Sequence, residues 1–270
     1  MPVALFWNLN RRTLCEEVAQ LCNAHEVDIL VLAESHMPDV EIQRSLRRET
    51  ETVYIAPFNE LSSRIKFFFR YPPESVRQVA DSYGVSIREI RPPVGMSLLL
   101  AGVHLSSKLY VDREEQSSQA RLVTRMIEEA ERSVGHERTL VIGDFNMNPF
   151  EGGLVDADSF HSVMAQSIAE RKMRKVRQVE RRYFYNPMWG KLGDGSQGPP
   201  GTYYYQGFKN RELFWNMFDQ VLIRPELLPY YRKEALQVLT EVGDRQLLTG
   251  DRINGYFSEH LPIMIGLATE

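Results

Sequence analysis

The sequence predicts an α/β fold in which packed β-sheets are covered by helices. Apolar runs of strand length recur along the chain, each bounded by polar residues, which is typical of buried strands. Amphipathic helical patterns separate several of these runs over the first 150 residues. Because 43% of the 270 residues are hydrophobic, the chain can form one large core, and we expect a single domain over residues 1–270.

Seven runs rich in Val, Ile, Leu and Phe are predicted to form the strands. Their short length and polar flanks favour strands over helices. The runs occupy residues 2–7, 27–33, 65–70, 95–105, 138–143, 217–223 and 261–267.

Helical spacing of apolar residues predicts three helices between these strands. The segments 12–24 and 39–49 have such spacing, and 113–133 has it most clearly, with Ala120, Val123, Ile127 and Ala130 on one face. Asp112 is placed to cap the third helix, whose first turn carries two glutamates.

Residues 151–215 differ in composition and are predicted to form an excursion over one edge of the core. Within them, RKMRKVRQVERR (171–182) holds seven basic residues and one acid. This basic run is either a surface that follows a nucleic-acid backbone or a solvated helix face. The candidate substrate contacts here are Arg171, Lys172, Arg174, Lys175, Arg177 and, further on, Tyr203.

Charge and hydropathy exclude some classes of protein. A net charge of −4 and a pI of about 5.9 exclude a protein that binds nucleic acid through a uniformly basic surface. The apolar run near the N-terminus is too short for a signal peptide, and no run is long enough to span a membrane. We therefore expect a cytoplasmic protein with no membrane partner.

Polar residues stand at the ends of several predicted strands. Taken singly, most are ordinary turn formers, caps or solvated side chains. Asp219 is different, because a carboxylate inside an apolar run needs a partner, and an imidazole would serve. The residues in question are Asn8, Glu34, His104, Asp144, Asn146, Asp219, Glu259 and His260.

Taken together, these residues suit phosphate chemistry. Asp144 and Asn146 are two apart in an extended segment, so their side chains point the same way. The carboxylate can orient or deprotonate a water while the amide donates to a phosphoryl oxygen. Hard oxygen ligands, which Mg²⁺ prefers, are available from Asn8, Glu34 and Glu259.

The order and the residues of these segments resemble those of the endonuclease/exonuclease/phosphatase superfamily. The resemblance covers residues 3–267 and depends on WN, LAE, GDFN followed by N-P, FDQVLI, and a serine-acid-histidine-x-proline motif, in that order. It implies a four-layer α/β sandwich, with two packed mixed β-sheets flanked by helices. It also implies metal-dependent phosphoester hydrolysis, with Mg²⁺ as the cofactor and Mn²⁺ as a possible substitute.

The resemblance implies a role for each strand-end residue. Asn8 and Glu34 match the metal-site positions, with Glu34 as the principal ligand, and Glu259 matches an acid near the metal. The remaining matches are the water-orienting acid Asp144, the phosphate-binding amide Asn146, the phosphate-contacting His260, its carboxylate partner Asp219 and a second histidine, His104.

The sequence departs from the family pattern at two points. The usual aspartate before the last histidine is Glu259 here, whose longer side chain moves the carboxylate by about one methylene. The deoxyribonuclease branch orients the second histidine with a glutamate, for which Glu60 is the candidate.

Three functions remain open at this stage. A nuclease ranks first because the basic run could follow a nucleic-acid backbone and Tyr203 could stack on a base. A phosphatase acting on a small phosphorylated molecule or lipid head group is the alternative. An inactive binding module on the same scaffold ranks third, because nearly all catalytic positions carry competent residues.

Overall fold

A computed structural model describes residues 2–57, 64–207 and 213–268. Within these ranges, all seven predicted apolar runs contain strands, as expected. In chain order the strands are β1 Val3–Asn8, β2 Ile29–Ala33, β3 Ile65–Phe69, β4 Val76–Ser82, β5 Val85–Ile90, β6 Leu98–His104, β7 Thr139–Asp144, β8 Ser162–Val163, β9 Met173–Val176, β10 Val179–Arg182, β11 Phe184–Tyr185, β12 Tyr203–Tyr204, β13 Trp215–Asn216, β14 Asp219–Ile223, β15 Tyr231–Val238, β16 Glu241–Val242, β17 Arg245–Gln246, β18 Leu248–Thr249, β19 Arg252–Ile253 and β20 Ile263–Leu267.

The strands form two large mixed sheets. The first has the order β15-β20-β1-β2-β3, and the second has the order β4-β5-β6-β7-β14-β11-β8. The pairs β1–β2 and β6–β7 are parallel, whereas β7 and β14 are antiparallel. As a result, one end of the sandwich, which we call the site edge, contains the last residues of β1, β2, β6 and β7 and the first residue of β14.

The predicted helices are present. They are α1 Cys15–Ala24, α2 Asp39–Thr50 and α3 Arg113–Val134, followed by the short α4 Gly152–Val155 and α5 Gln166–Ala169. Oδ1 of Asp112 accepts a hydrogen bond from the Glu115 backbone N–H, so the predicted cap of α3 is confirmed. None of the described helices is both long and apolar enough to cross a membrane.

Three hydrophobic clusters define the layers. The inner faces of the two sheets pack together, with Phe6 and Phe67 from one sheet against Leu100 and Ile142 from the other. The outer face of the first sheet packs on α1 and α2, and that of the second packs on α3. The predicted sandwich of two mixed sheets flanked by helices is therefore confirmed.

The region 151–215 adds strands β8 and β11 to the edge of the second sheet. Its basic run 171–182 is not a helix face: strands β9 and β10 pair antiparallel as a hairpin. The two turn residues, Arg177 and Gln178, have φ angles of 49° and 67°. The strands expose most of their side chains, so this basic hairpin projects into solvent.

Three of the longer strands, β4, β5 and β15, were not predicted from the sequence. Strand β5 is fully buried but contains Arg88 and Glu89, and the polar residues of β4 and β15 interrupt the apolar pattern. Arg88 forms an ion pair at 2.6 Å with Asp81, whose side chain is also buried. This pairing allows charged residues inside a buried sheet, where a hydrophobic pattern would not reveal the strand.

Candidate active site

Strand register brings the predicted site residues to the site edge. His104 is level with Asp144 across the β6–β7 pair, and Asp219 is level with Asp144 across β7–β14. Asn8 ends β1, and Glu34 directly follows β2. The polar residues at the ends of three neighbouring strands of one sheet and of two strands of the other therefore lie together at the site edge.

Gly143 allows β6 and β7 to approach closely just before Asp144. Its φ angle is 155°, and a Cβ atom at this position would lie 1.9 Å from the carbonyl oxygen of Val103. No side chain larger than hydrogen fits there. This close approach sets His104 and Asp144 side by side.

Asp144 is the centre of the hydrogen-bond network. Its Oδ2 accepts from Nδ2 of Asn8 at 2.9 Å and from Nδ2 of Asn146 at 3.2 Å, while its Oδ1 accepts from the Asn146 backbone N–H at 2.8 Å. The same Oδ2 lies 3.9 Å from Nε2 of His104 and 4.0 Å from Nε2 of His260. Two imidazoles therefore flank one fixed carboxylate oxygen.

His260 is held by the buried Asp219, as the sequence predicted for that carboxylate. Nδ1 of His260 lies 2.9 Å from Oδ2 and 3.1 Å from Oδ1 of Asp219. Burial alone would lower the pKa of His260, but the charge and hydrogen bond of Asp219 outweigh it and raise that pKa to about 9. With Nδ1 bonded, the protonated ring presents Nε2 towards Asp144.

Glu34 faces the second imidazole. Its Oε1 lies 3.3 Å from Nε2 of His104 and 3.4 Å from Nδ2 of Asn8. The hydrogen bond to His104 is the main cause that lowers the pKa of Glu34 to about 2, against the opposing effect of burial. The Glu34 carboxylate therefore stays ionised at neutral pH.

The other nitrogen of His104, Nδ1, is buried and has no hydrogen-bond partner among the described residues. Glu60, the candidate for orienting this ring, lies outside the described residues.

The predicted metal residues differ in what they present. Asn8 directs its amide nitrogen to Glu34 and Asp144, while its Oδ1 accepts from the Asn10 backbone N–H at 2.9 Å. Glu259 is exposed on the wall of the cleft. In this arrangement Asn8 positions the carboxylates, and direct contact of Asn8 or Glu259 with a metal stays a prediction.

The chemistry of the donor set fits a divalent cation. Glu34 supplies a carboxylate that stays ionised, and Asp144 contributes further carboxylate oxygens to the cleft. Ligand atoms of Asp144, Asp219 and His260 also lie within 4.8 Å of one another. That second group is less suited to Mg²⁺, because the Asp219–His260 hydrogen bond already uses two of its members.

Asn146 occupies a conformation that few residues adopt. Its φ angle is 50°, and its Nδ2 donates to the Leu105 carbonyl at 3.0 Å as well as to Asp144. Gln116 of α3, which the sequence did not single out, donates from Nε2 to the carbonyls of Ser106 and Asn146, at 3.0 and 3.1 Å. This buried amide joins the loops that follow β6 and β7.

An open cleft of about 1780 Å³ is lined by Glu34, His104, Asp144, Asn146, Glu259 and His260. Sequence reasoning did not single out the cations that line this cleft, because they are scattered along the chain. The cationic residues are Arg11, Arg64, Lys66, Lys108 and Arg113. Tyr203 lies in the cleft with its ring 4.7 Å from that of His260 and stacked on Phe218 at 5.2 Å.

The basic hairpin is elsewhere. None of the described residues that line the cleft belongs to 171–182. The structure therefore does not bring Arg171, Lys172, Arg174, Lys175 or Arg177 together with the strand-end residues. These cations therefore cannot follow a nucleic-acid strand through the cleft, as expected for the nuclease that ranked first.

Comparisons with solved structures agree with the fold. An AP endonuclease from Archaeoglobus fulgidus superposes with a TM-score of 0.57 at 12% identity, covering 99% of each chain. The human Nocturnin catalytic domain with bound sulfate anion gives 0.57 at 16% identity, covering 100% of this chain and 94% of that chain. The 3′ phosphatase NExo from Neisseria, bound to product DNA hairpin, gives 0.56 at 14% identity, covering 99% of each chain.

At these identities the structural likeness shows the fold alone. A search of curated proteins finds no significant match. The model of the Endonuclease/Exonuclease/phosphatase family matches residues 5–238, which is most of the chain. This chain therefore belongs to the endonuclease/exonuclease/phosphatase family.

Proposed function

We propose that this protein is a Mg²⁺-dependent phosphoester hydrolase whose substrate is a polynucleotide. The observation that carries the proposal is the position of Asp144 Oδ2 between two imidazoles, 3.9 Å from His104 and 4.0 Å from His260. A carboxylate that can take a proton thus stands beside two groups that can donate to phosphate oxygens.

Asp144 orients the attacking water and accepts its proton. Hydrogen bonds from Asn8 and Asn146 fix the direction of this carboxylate. His260 is protonated at neutral pH because of Asp219, so its Nε2 donates to a phosphoryl oxygen and stabilises the charge that develops in the transition state. His104 supplies the proton to the leaving oxygen.

Glu34 would hold the metal ion, with Asp144 adjacent. When bound, the ion supplies positive charge that neutralises the phosphate and the developing alkoxide. Asn146 donates both amide hydrogens within the protein, so phosphate binding by this residue requires the release of its bond to Asp144 or to the Leu105 carbonyl.

The shape of the cleft supports a polymeric substrate. Small-molecule pockets measure roughly 300–1,000 Å³, and this cleft is larger, at about 1780 Å³, and open to solvent. Cations and aromatic rings both line its walls, with Lys108 above the ring of Phe218 at 5.1 Å. Such walls suit a chain of phosphates and bases. A small phosphoester remains the alternative, since the strand-end residues need only one phosphate.

A panel assay tests the proposal. Purified protein is incubated with Mg²⁺, Mn²⁺ or EDTA and with single- and double-stranded DNA, RNA and phosphomonoesters. We expect cleavage of a polynucleotide with either metal and none in EDTA, and we expect Asp144→Asn to abolish it. Release of phosphate from small monoesters alone would establish the phosphatase instead, and inactivity on every substrate would support a binding module.

A further inference from the structure

We propose that the basic hairpin β9–β10 is a second binding surface, separate from the cleft, that takes the backbone of double-stranded nucleic acid. The proposal goes beyond hydrolysis, because it concerns binding at the other end of the molecule and requires no catalysis.

Several contacts place the hairpin at the end opposite the site edge. Tyr183, which follows the hairpin, donates its backbone N–H to the Lys172 carbonyl at 2.8 Å and accepts from Arg224 through its carbonyl at 3.1 Å. Arg182 forms an ion pair with Glu137 at 2.9 Å. Glu137 stands two residues before β7, whose other end is Asp144. Six residues of strand separate the two ends by roughly 20 Å.

Four cations of the run 171–182 are exposed and form no ion pair within the described part of the chain, whereas Arg182 is paired with Glu137. Arg171, Lys172, Lys175 and Arg177 form no ion pair with any described residue, although the chain as a whole is acidic. The single acid of the ribbon, Glu180, lies opposite Lys175 without forming an ion pair. Positive charge is therefore concentrated on the basic hairpin.

The register of the hairpin places like charges opposite each other. Arg174 and Arg181 are direct cross-strand partners. Such a pair destabilises a hairpin unless an anion lies between or beside the two charges. Arg174 is held in place by a hydrogen bond from its Nε to Nε2 of the buried His161 at 2.9 Å. The repulsion is thus built into the structure, and a bound phosphate would relieve it.

The turn points to the same conclusion. A two-residue turn with positive φ at both positions normally carries Asn-Gly, because other residues pay a conformational cost there. Here the turn carries Arg177 and Gln178, with φ angles of 49° and 67°. Strained backbone of this kind is common where a side chain has a function. In this turn the strain places a guanidinium at the tip.

The shape and composition of the ribbon favour a duplex. The major groove of B-DNA admits a two-stranded β-ribbon, and guanidinium groups bind phosphates in bidentate fashion. An anionic membrane is a less suitable partner for the hairpin, because proteins that bind membrane surfaces insert large apolar side chains or lipid anchors. The exposed apolar side chains of the ribbon are only Met173 and Val179.

Binding is measured by fluorescence anisotropy with a labelled 24-base-pair duplex in EDTA, in which the proposed hydrolysis does not proceed. The test variant is K172Q/K175Q/R177Q, which spares the Arg174–His161 hydrogen bond. We expect at least tenfold weaker binding at low salt. The slope of log affinity against log salt concentration should become shallower by about 2 to 3, from roughly 0.9 per lost contact.

Matched controls keep the result interpretable. R44A/R47A/R48A removes three exposed charges from α2 and should change the affinity less than twofold. R177N/Q178G places the preferred turn sequence at the tip, so it should fold at least as well as the wild type while weakening binding. A single-stranded oligonucleotide of the same length should bind more weakly than the duplex.

Three outcomes would overturn the proposal. Equal losses in the α2 control and the hairpin variant would indicate general electrostatics. Single strands that bind as tightly as the duplex, and lose as much affinity in the hairpin variant, would exclude the ribbon-in-groove assignment. If the hairpin variant lost binding to phosphatidylserine vesicles but bound the duplex as the wild type does, the surface would be assigned to a membrane. Because EDTA is present throughout, failure here leaves the proposed hydrolysis untouched, and inactivity in the panel assay leaves this binding untouched.

Discussion

Nδ1 of His260 lies 2.9 Å from Oδ2 of the fully buried Asp219. The pKa of His260 in the folded protein is therefore raised, to about 9 from an ordinary value of 6.5. A raised pKa means that the pair stabilises the folded state fully below about pH 6.5. This stabilisation is lost as the pH rises through about 9.

Asp219→Asn tests this linkage. The stability lost through the substitution should be greater at pH 6.0 than at pH 9.5 by on the order of 2–3 kcal/mol. Urea unfolding of the wild type and the variant at both pH values measures the difference. Equal losses at the two pH values would show that Asp219 does not raise the pKa of His260.

Glu34→Gln should raise the requirement for Mg²⁺. The substitution keeps the shape of the side chain but removes an anion whose pKa lies at about 2. We expect turnover to fall roughly 10²-fold or more, and the half-saturating Mg²⁺ concentration to rise about tenfold. Turnover is measured against Mg²⁺ concentration. A variant with the wild-type Mg²⁺ response would remove Glu34 from the metal site.

Asn146 offers a test that separates backbone strain from chemistry. Glycine adopts a φ of 50° without cost, whereas alanine does not. Asn146→Ala should therefore be less stable than Asn146→Gly by about 1 kcal/mol. Both variants lack the amide, so their turnover should be equally low. Urea unfolding and turnover give the two readouts, and normal turnover in the glycine variant would refute a role for the amide.

Gln116→Met should impair turnover without weakening substrate binding. Its amide holds the Ser106 and Asn146 carbonyls, so its loss loosens the loops that follow β6 and β7 while Met fills the volume. We expect kcat to fall roughly tenfold with KM within twofold. Thr124→Val on the same helix, which removes only a bond to the Ala120 carbonyl, serves as the control. A change in KM alone would assign Gln116 to substrate contact.

Much of the fold could be predicted because the buried strands are continuous apolar runs. Strand β5 was not predicted because it buries the charged residues Arg88 and Glu89. Each forms an ion pair with a residue of β4, and such partners cannot be recognised from the strand's own sequence. The helix over 113–133 was recognisable from its apolar face and from Asp112, since capping is a local interaction.

The site was predictable to the extent that strand ends carry its residues. Sequence alone could pair Asp219 with an imidazole, because a buried carboxylate requires a partner. It could not reveal Gln116, whose role depends on two loops that are 40 residues apart in the chain. It could not place the basic hairpin either, because its distance from the cleft follows from long-range contacts such as Arg182–Glu137, at the end of β7 opposite Asp144.

The close approach at Gly143 has a consequence for tolerance to mutation. A library of random substitutions would find position 143 as intolerant as Asp144, although glycine has no side chain to take part in chemistry. Any added carbon collides with the Val103 carbonyl and forces β6 and β7 apart, which separates His104 from Asp144. In this protein, mutational intolerance at the site edge therefore marks spacing between strands as well as reactive groups.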